Sequence, residues 1–413
     1  MDREWPRMKE QPCDAVAAHV AAPPTSCTPR VTALSDITPE LTASPLLEHT
    51  RPAVVGNHAL EKTMKIRPVL LSARKYGASD IHLMAGLPPM FRIAGDIVAS
   101  KGEQVTSDAL DVLIREILTP EQHARLEISW QLCVSLVFSD CGRSRVTIYK
   151  RNGRHEVSIR MSELSIRTRE ELGLPEIVES LARKPSGLVI LTGPTGVGKT
   201  TTFHYLLDLI NAEQSAKIVT IEDPIEYVHP FKRSIVVQQE ILVDVQDFNS
   251  ALRHVLRQDP DVIGVGEMRD AETIYTALMA AETGHLVLAT LHTPSAIDVL
   301  HRMVSAFPEG RQDEIRFMLS GTLQGVVAQQ LLPRATEKGR VLCCEVLIGT
   351  PAVRNHIREN KVHQLLTEIQ AGRKHGMISV DHSLLELYQR GEITYDTAVS
   401  MARNPDSIRK RGA

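Results

Sequence analysis

The chain has 413 residues, with 47 Lys and Arg against 50 Asp and Glu and a net charge of −3, so the whole carries no basic excess of the kind that nucleic-acid binding requires. Apolar residues make up 43% and charged residues 23%, which fits soluble globular domains, two or three at this length. No apolar run reaches membrane-spanning length, and Met1-Asp-Arg-Glu-Trp-Pro6 lacks the apolar core of a signal peptide, so a cytoplasmic protein is expected.

Residues 1–60 are rich in Ala, Pro, Thr and Ser without sustained periodicity and are expected to form a disordered extension. A helix over 64–75 and strands over 79–83 and 90–94 follow. A helical stretch over 107–126 is interrupted at Pro120, and strands are expected over 134–138, 145–149 and 156–161. That succession reads as an α+β domain spanning 61–165, with a linking helix over 172–182. From residue 187 the pattern changes to strand, helix, strand, helix, the mark of a sheet with crossover helices. Strands are expected at 188–192, 218–221, 262–265 and 286–291. Asp270 caps one helix, and Ser295 with Asp298 resembles a capping box. This second domain spans 166–347. Residues 348–413 read as a helical region that ends in a solvated basic tail, Arg409-Lys-Arg411. The six cysteines form no C-x-x-C pair, so zinc is not expected, and neighbouring Cys343 and Cys344 read as buried small hydrophobes of a reduced compartment.

Between the strand at 188–192 and the helix after it stands Gly193-Pro194-Thr195-Gly196-Val197-Gly198-Lys199-Thr200. This is the G-x-x-x-x-G-K-T phosphate loop. A phosphate needs a ring of backbone N–H groups, and only glycines let the backbone curl tightly enough to supply it. The helix that starts near Thr201 adds its free N–H groups and positive dipole end. Lys199 is assigned to the β- and γ-phosphates and Thr200 to Mg²⁺, so ATP and Mg²⁺ are the expected ligands.

Hydrolysis also needs a poised water and positive charge for the transition state. Asp261-Val-Ile-Gly-Val-Gly-Glu267 is an apolar strand that ends in an acid, at the sheet edge where α/β folds bind ligands. Glu267 is the candidate to orient or deprotonate the water. Glu222, Asp223 and Glu226 cluster after the strand at 218–221, with Pro224 turning the chain. They read as water-mediated Mg²⁺ holders, or as a plain acidic loop. His285 and His292 bracket one apolar strand, near its opposite ends. One of them could sense the γ-phosphate, and a structural role is the alternative.

Four stretches now stand in order: Gly193 to Thr200, Ile221-Glu-Asp-Pro-Ile-Glu226, Val265-Gly-Glu-Met-Arg-Asp270, and Thr283-Gly-His-Leu-Val287 with Thr290-Leu-His-Thr293. They resemble the Walker A, Asp box, Walker B and His box of the secretion ATPase superfamily, the hexameric motors of type II and type IV secretion and of type IV pili. Ala78-Ser-Asp-Ile-His82 and Ala85-Gly-Leu-Pro-Pro89 are similar to the N-terminal domain of the pilus retraction ATPases, the PilT type. Ile348-Gly-Thr-Pro-Ala-Val-Arg-Asn-His-Ile-Arg-Glu359 is similar to their C-terminal helical motif. The resemblance covers residues 65–405. It implies an α/β fold: a RecA-like P-loop ATPase domain preceded by a smaller α+β, PAS-like N-terminal domain and followed by a helical part.

The resemblance also implies roles. Glu267 becomes the catalytic glutamate, Glu226 the Asp-box acid, and His285 and His292 the His-box pair. Arg143, Arg145 and Arg160 fall where the family has N-domain arginines, some of which reach nucleotide across a domain or subunit boundary, and Arg145 is the chosen one. Gly153 stands where the family often has another arginine, with Arg154 beside it. Gly264 replaces a bulky residue, and looser packing is expected there. The implied protein is a homo-hexameric Mg²⁺-dependent ATPase at the inner face of the cytoplasmic membrane. It would power type IV pilus retraction against an inner-membrane platform protein, alone or beside a paralogous motor, without nucleic acid or zinc. The rival readings are a motor for pilus assembly, protein secretion or DNA transfer, a weakly hydrolysing accessory subunit, and a nucleic-acid motor with a RecA-like core.

Overall fold

Short alternating runs build the first sheet. The computed structural model describes residues 65–93, 95–138, 140–162, 165–336 and 339–408, all within one unit, Leu60–Ala413. The expected disordered extension and the basic tail lie outside the described residues. Strands β1 (Ala78–Leu83), β2 (Met90–Ile93), β3 (Asp96–Ala99), β4 (Gln131–Phe138), β5 (Gly142–Arg151) and β6 (Arg154–Met161) form an antiparallel sheet in the order β3-β2-β1-β6-β5-β4. Helices α1 (Ile66–Lys75), α2 (Ser107–Ile117) and α3 (Pro120–Ser129) accompany it. Leu70, Ile81, Leu110, Leu113, Ile148 and Ile159 are buried in one core. The interruption at Pro120 is a new helix start: Thr119 and Gln122 make a capping box with Pro120 in the first turn. At the β5–β6 turn Asn152 and Gly153 have φ of 51° and 74°, as a two-residue hairpin demands. That turn accounts for glycine at 153.

Uninterrupted buried apolar runs build the middle of the second sheet. β7 (Gly187–Thr192), β8 (Lys217–Glu222), β9 (Ile235–Glu240), β10 (Val262–Val265), β11 (Leu286–Thr290), β12 (Leu323–Pro333) and β13 (Arg340–Ile348) lie in the order β13-β12-β7-β11-β10-β8-β9. The sheet is parallel from β12 to β9, with β13 antiparallel at the edge. Its helices are α4 (Arg169–Leu172), α5 (Ile177–Ala182), α6 (Lys199–Glu213), α7 (Phe248–Val255), α8 (Ala271–Glu282), α9 (Ala296–Ser305) and α10 (Glu309–Thr322). The single helix expected over 172–182 is in fact α4 and α5, because Gly173 ends the first at φ 67° and Pro175 follows. Asp270 caps α8 through the Thr273 N–H. The Ser295 hydroxyl accepts from the Asp298 N–H and donates to the Asp298 carboxylate.

Gly264 does not loosen the packing. A Cβ there would stand 2.8 Å from Phe203 Cζ and 2.8 Å from Thr220 Cγ2. The Phe203 ring of α6 occupies the space a larger side chain would take.

Helices α11 (Pro351–Arg358), α12 (Leu365–Ala371), α13 (Val380–Gln389) and α14 (Tyr395–Met401) follow β13. They share the sheet's cores: Val353, Ile357, Leu365 and Ile369 join the main one, and Leu384, Leu387 and Ala398 pack with Val341 and Cys343 of β13. Burial pushes the Cys343 thiol up to about 11 and also raises that of Cys344. Among the described residues no helix is long and apolar enough to cross a membrane.

Arg354 of α11 ties this region to the sheet. It donates to the carbonyls of Gly349 at 2.8 Å, Leu323 at 3.0 Å and Gly321. Gly321 and Leu323 stand at the C-terminal end of α10, where helix carbonyls lack intrahelical partners and a cation is favoured. Arg354→Met should therefore lower stability by about 2–3 kcal/mol. A thermal unfolding midpoint equal to the parent's would remove that role.

Candidate active site

The parallel strands carry the site at their carboxyl ends. After Thr192 the chain turns through Gly193, Gly196 and Gly198 at φ 138°, 80° and 90° before α6 begins at Lys199. A Cβ on Gly193 would run into the Gln329 carbonyl oxygen of β12 and lie 2.9 Å from Val197. Only glycine fits between this loop and the neighbouring strand. Lys199 is buried, and its ammonium donates to the carbonyls of Gly193 at 2.8 Å and Pro194 at 2.9 Å. Burial lowers its pKa, and Glu267 acts in the opposite sense. Thr200 and Thr201 follow, half-buried in the first turn of α6. At the base of the loop the Thr192 hydroxyl donates to the Thr293 carbonyl at 2.6 Å.

The order β7-β11-β10 then sets three catalytic candidates side by side. His292 lies with Nδ1 3.3 Å from Lys199 Nζ and Nε2 3.1 Å from Glu267 Oε1. Arg269 meets Glu267 Oε2 at 2.8 Å and lies 3.9 Å from Asp223. Burial disfavours the charged form of Glu267, but Arg269 and then His292 outweigh it and hold the carboxyl below the usual range. Glu267 is thus a carboxylate at neutral pH with its geometry held from both sides. The Thr290 hydroxyl donates to the Gly266 carbonyl, and the Met268 N–H donates to the Thr290 carbonyl at 3.0 Å, bracing the corner.

The other expected site residues fall in three places. Asp223 is exposed beside Arg269. Glu222, expected near Mg²⁺, instead turns inward. It is buried, accepts from the Thr220 hydroxyl at 2.6 Å and from Gln238 at 3.0 Å, and stands 3.2 Å from His204 Nε2. His204 in turn lies 2.9 Å from His229. His285 sits at the far end of β11 from His292, roughly 20 Å of extended chain away. Its ring meets the Ala280 carbonyl at 2.9 Å and the Thr283 hydroxyl at 3.1 Å, at the C-terminal end of α8.

Of the N-domain arginines, Arg143 pairs with buried Glu240. Arg160 donates to Asp80 at 3.0 Å, and Arg145 Nε lies 3.1 Å from Cys133 Sγ. Arg145 and Arg160 are register partners across β5 and β6, and both act electrostatically on Glu226. Burial raises the Glu226 pKa first; His204 lowers it, Glu222 raises it further, and Arg160 and Arg145 then lower it, for a net rise. A carboxyl raised on folding stabilises the fold below its unfolded pKa and loses that contribution as pH rises through the folded value. Glu226→Gln should therefore raise the melting temperature at neutral pH while reducing turnover. A lower melting temperature in that variant would contradict this.

The sequence marks Arg269 as a site residue only by its place two residues after Glu267, which puts both on one side of an extended segment.

The loop fits a polyphosphate. Its glycines leave no room for a Cβ at 193 and open space at 196 and 198, and a buried ammonium stands at its mouth. Among the described residues no group of three or more His, Cys, Asp and Glu is assembled that could hold a metal by itself. A cation here would take phosphate oxygens, Thr200 and water as ligands, the habit of Mg²⁺.

Residues 151–403 match the family described as type II/IV secretion system protein. The chain is 42% identical over 345 residues to the type IV pilus retractation ATPase PilT of Pseudomonas aeruginosa, over 84% of this chain and 100% of that one. The chain belongs to the type II/IV secretion family, in its PilT-type branch. This PilT-type chain is also 39% identical over 320 residues to the twitching motility protein of Neisseria gonorrhoeae, over 78% of this chain and 86% of that one. Among solved structures, the pilus retraction motor PilT with bound ADP is similar at a TM-score of 0.78 and 42% identity, over 83% of this chain and 98% of that one. The ATPase DotB of Legionella pneumophila is similar at 0.70 and 25%, over 81% and 95%. A RecA-like P-loop ATPase fold with an N-terminal domain is what the PilT-type branch shares.

Proposed function

We propose that this chain is a Mg²⁺-dependent ATPase that powers type IV pilus retraction, working as a homo-hexamer on a platform protein at the inner face of the cytoplasmic membrane. The observation that carries the reading is the Lys199–His292–Glu267 cluster at a glycine phosphate loop, in a chain similar to PilT along that relative's whole length. Lys199 exchanges its loop carbonyls for β- and γ-phosphate oxygens, and the loop N–H groups cradle the same phosphates. Mg²⁺, when bound beside Thr200, neutralises charge on the phosphates. Glu267 orients the attacking water and accepts its proton, while His292 and Arg269 hold the carboxylate in place. Arg145 and Arg160 bring positive charge to the Asp-box acid Glu226, from the N-terminal domain.

Disruption of the gene tests the reading in the cell. The expected result is loss of twitching motility with surface pili retained or increased. Unaltered twitching and piliation would remove the retraction role.

A further inference from the structure

The buried carboxylate of Glu240 takes no part in the chemistry described above. It ends β9 as the register partner of Glu222 and is 4% exposed. Arg143 of β5 pairs with it, and the Ser135 hydroxyl of β4 donates to it at 3.0 Å. The Ile225 N–H, in the turn after β8, donates to it at 3.2 Å. One carboxylate therefore joins the N-terminal sheet to the turn that carries Glu226. Its neighbours on both sides are site candidates: Arg145 lies two residues from Arg143 on the same face of β5, and Glu226 follows Ile225.

We infer that Glu240 is a positioning residue, whose contacts with Arg143, Ser135 and Ile225 hold the N-domain arginines and Glu226 in one fixed relation. A buried charge retains its place only when paired and hydrogen-bonded, so loss of either side of this junction should free the other. Lys199 and the phosphate loop share none of these contacts. The kinetic consequence rests on the ATPase reading; the structural one does not.

Hydrogen exchange and steady-state ATP hydrolysis on the full-length chain test this together. In Glu240→Ala, exchange at 222–227 and in β4 and β5 should quicken at least about fivefold while 193–200 stays within about twofold. Turnover should fall about tenfold with KM for ATP changed less than about threefold. Glu240→Gln keeps the volume and an acceptor for Ile225, so it should protect 222–227 but release β4 and β5. Unchanged exchange in folded Glu240→Ala, or a response in only one of the two segments, overturns the inference. If that variant does not fold, Arg143→Met and Glu240→Gln decide, since neither can leave β4 and β5 exchange unchanged. A parent chain without turnover would sink the ATPase reading and leave the exchange result standing.

Discussion

Glu267→Gln should cut ATP turnover by about 10²–10⁴-fold with nucleotide affinity nearly intact. Gln keeps the size of the side chain and an oxygen for Arg269, but it cannot accept a proton from water. The phosphate loop is untouched, so binding should survive. The pH profile gives a second check. Arg269 and His292 hold the Glu267 carboxyl below the usual range, so the active, ionised form persists above that depressed value and is lost only as pH falls through it. Arg269→Ala removes the larger of the two stabilising partners, and the acid limb of the profile should then move to higher pH. Turnover in Glu267→Gln equal to the parent's would move the catalytic acid elsewhere.

Lys199→Met should weaken ATP binding by about 10²–10³-fold, or roughly 3–4 kcal/mol. Among the described residues the buried ammonium hydrogen-bonds only to loop carbonyls and His292, which makes it a cation kept for an anionic ligand. Burial already lowers its pKa, so the neutral replacement removes a desolvated charge and the melting temperature should hold or rise. Unchanged affinity, measured by calorimetry, would dismiss the phosphate-loop assignment. A folded, unaltered stability with lost affinity would separate binding from folding at this residue.

The two variants probe features with different visibility in the sequence. The loop and its lysine are local: glycines at 193, 196 and 198 followed by a helix start leave little choice of backbone. The corner at Glu267 is nearly as local, since an apolar strand ends there. Glu222 and Glu226 are four residues apart in one acidic stretch, and nothing in their spacing separates them. The structure does, because Glu222 still belongs to β8 and its side chain enters the interior against His204, whereas Glu226 lies beyond the turn.

The same division applies to the fold. Strand and helix periodicities announced β7, β8, β10 and β11, whose buried runs are short and uninterrupted. Strand β9 and the β12–β13 ladder carry no such signal. β9 is an edge strand with a polar end, Gln238-Gln239-Glu240, and β12 carries Gln329 and Gln330 within its apolar run. Polar residues in a strand read as loop until a partner is known. Here the partners are Arg143, Ser135 and Thr202.

By itself the sequence determined the glycine loop at 193–198, the acid that follows β10 and the family, because each is written in a contiguous run of residues with local geometric consequences. Only the tertiary structure decided which acids face the site, that His292 joins it while His285 caps α8, that Phe203 fills the space at Gly264, and that Arg143 is committed to Glu240. Those outcomes depend on strand order and on packing between residues as many as 97 apart in the chain, and local periodicity carries no record of either.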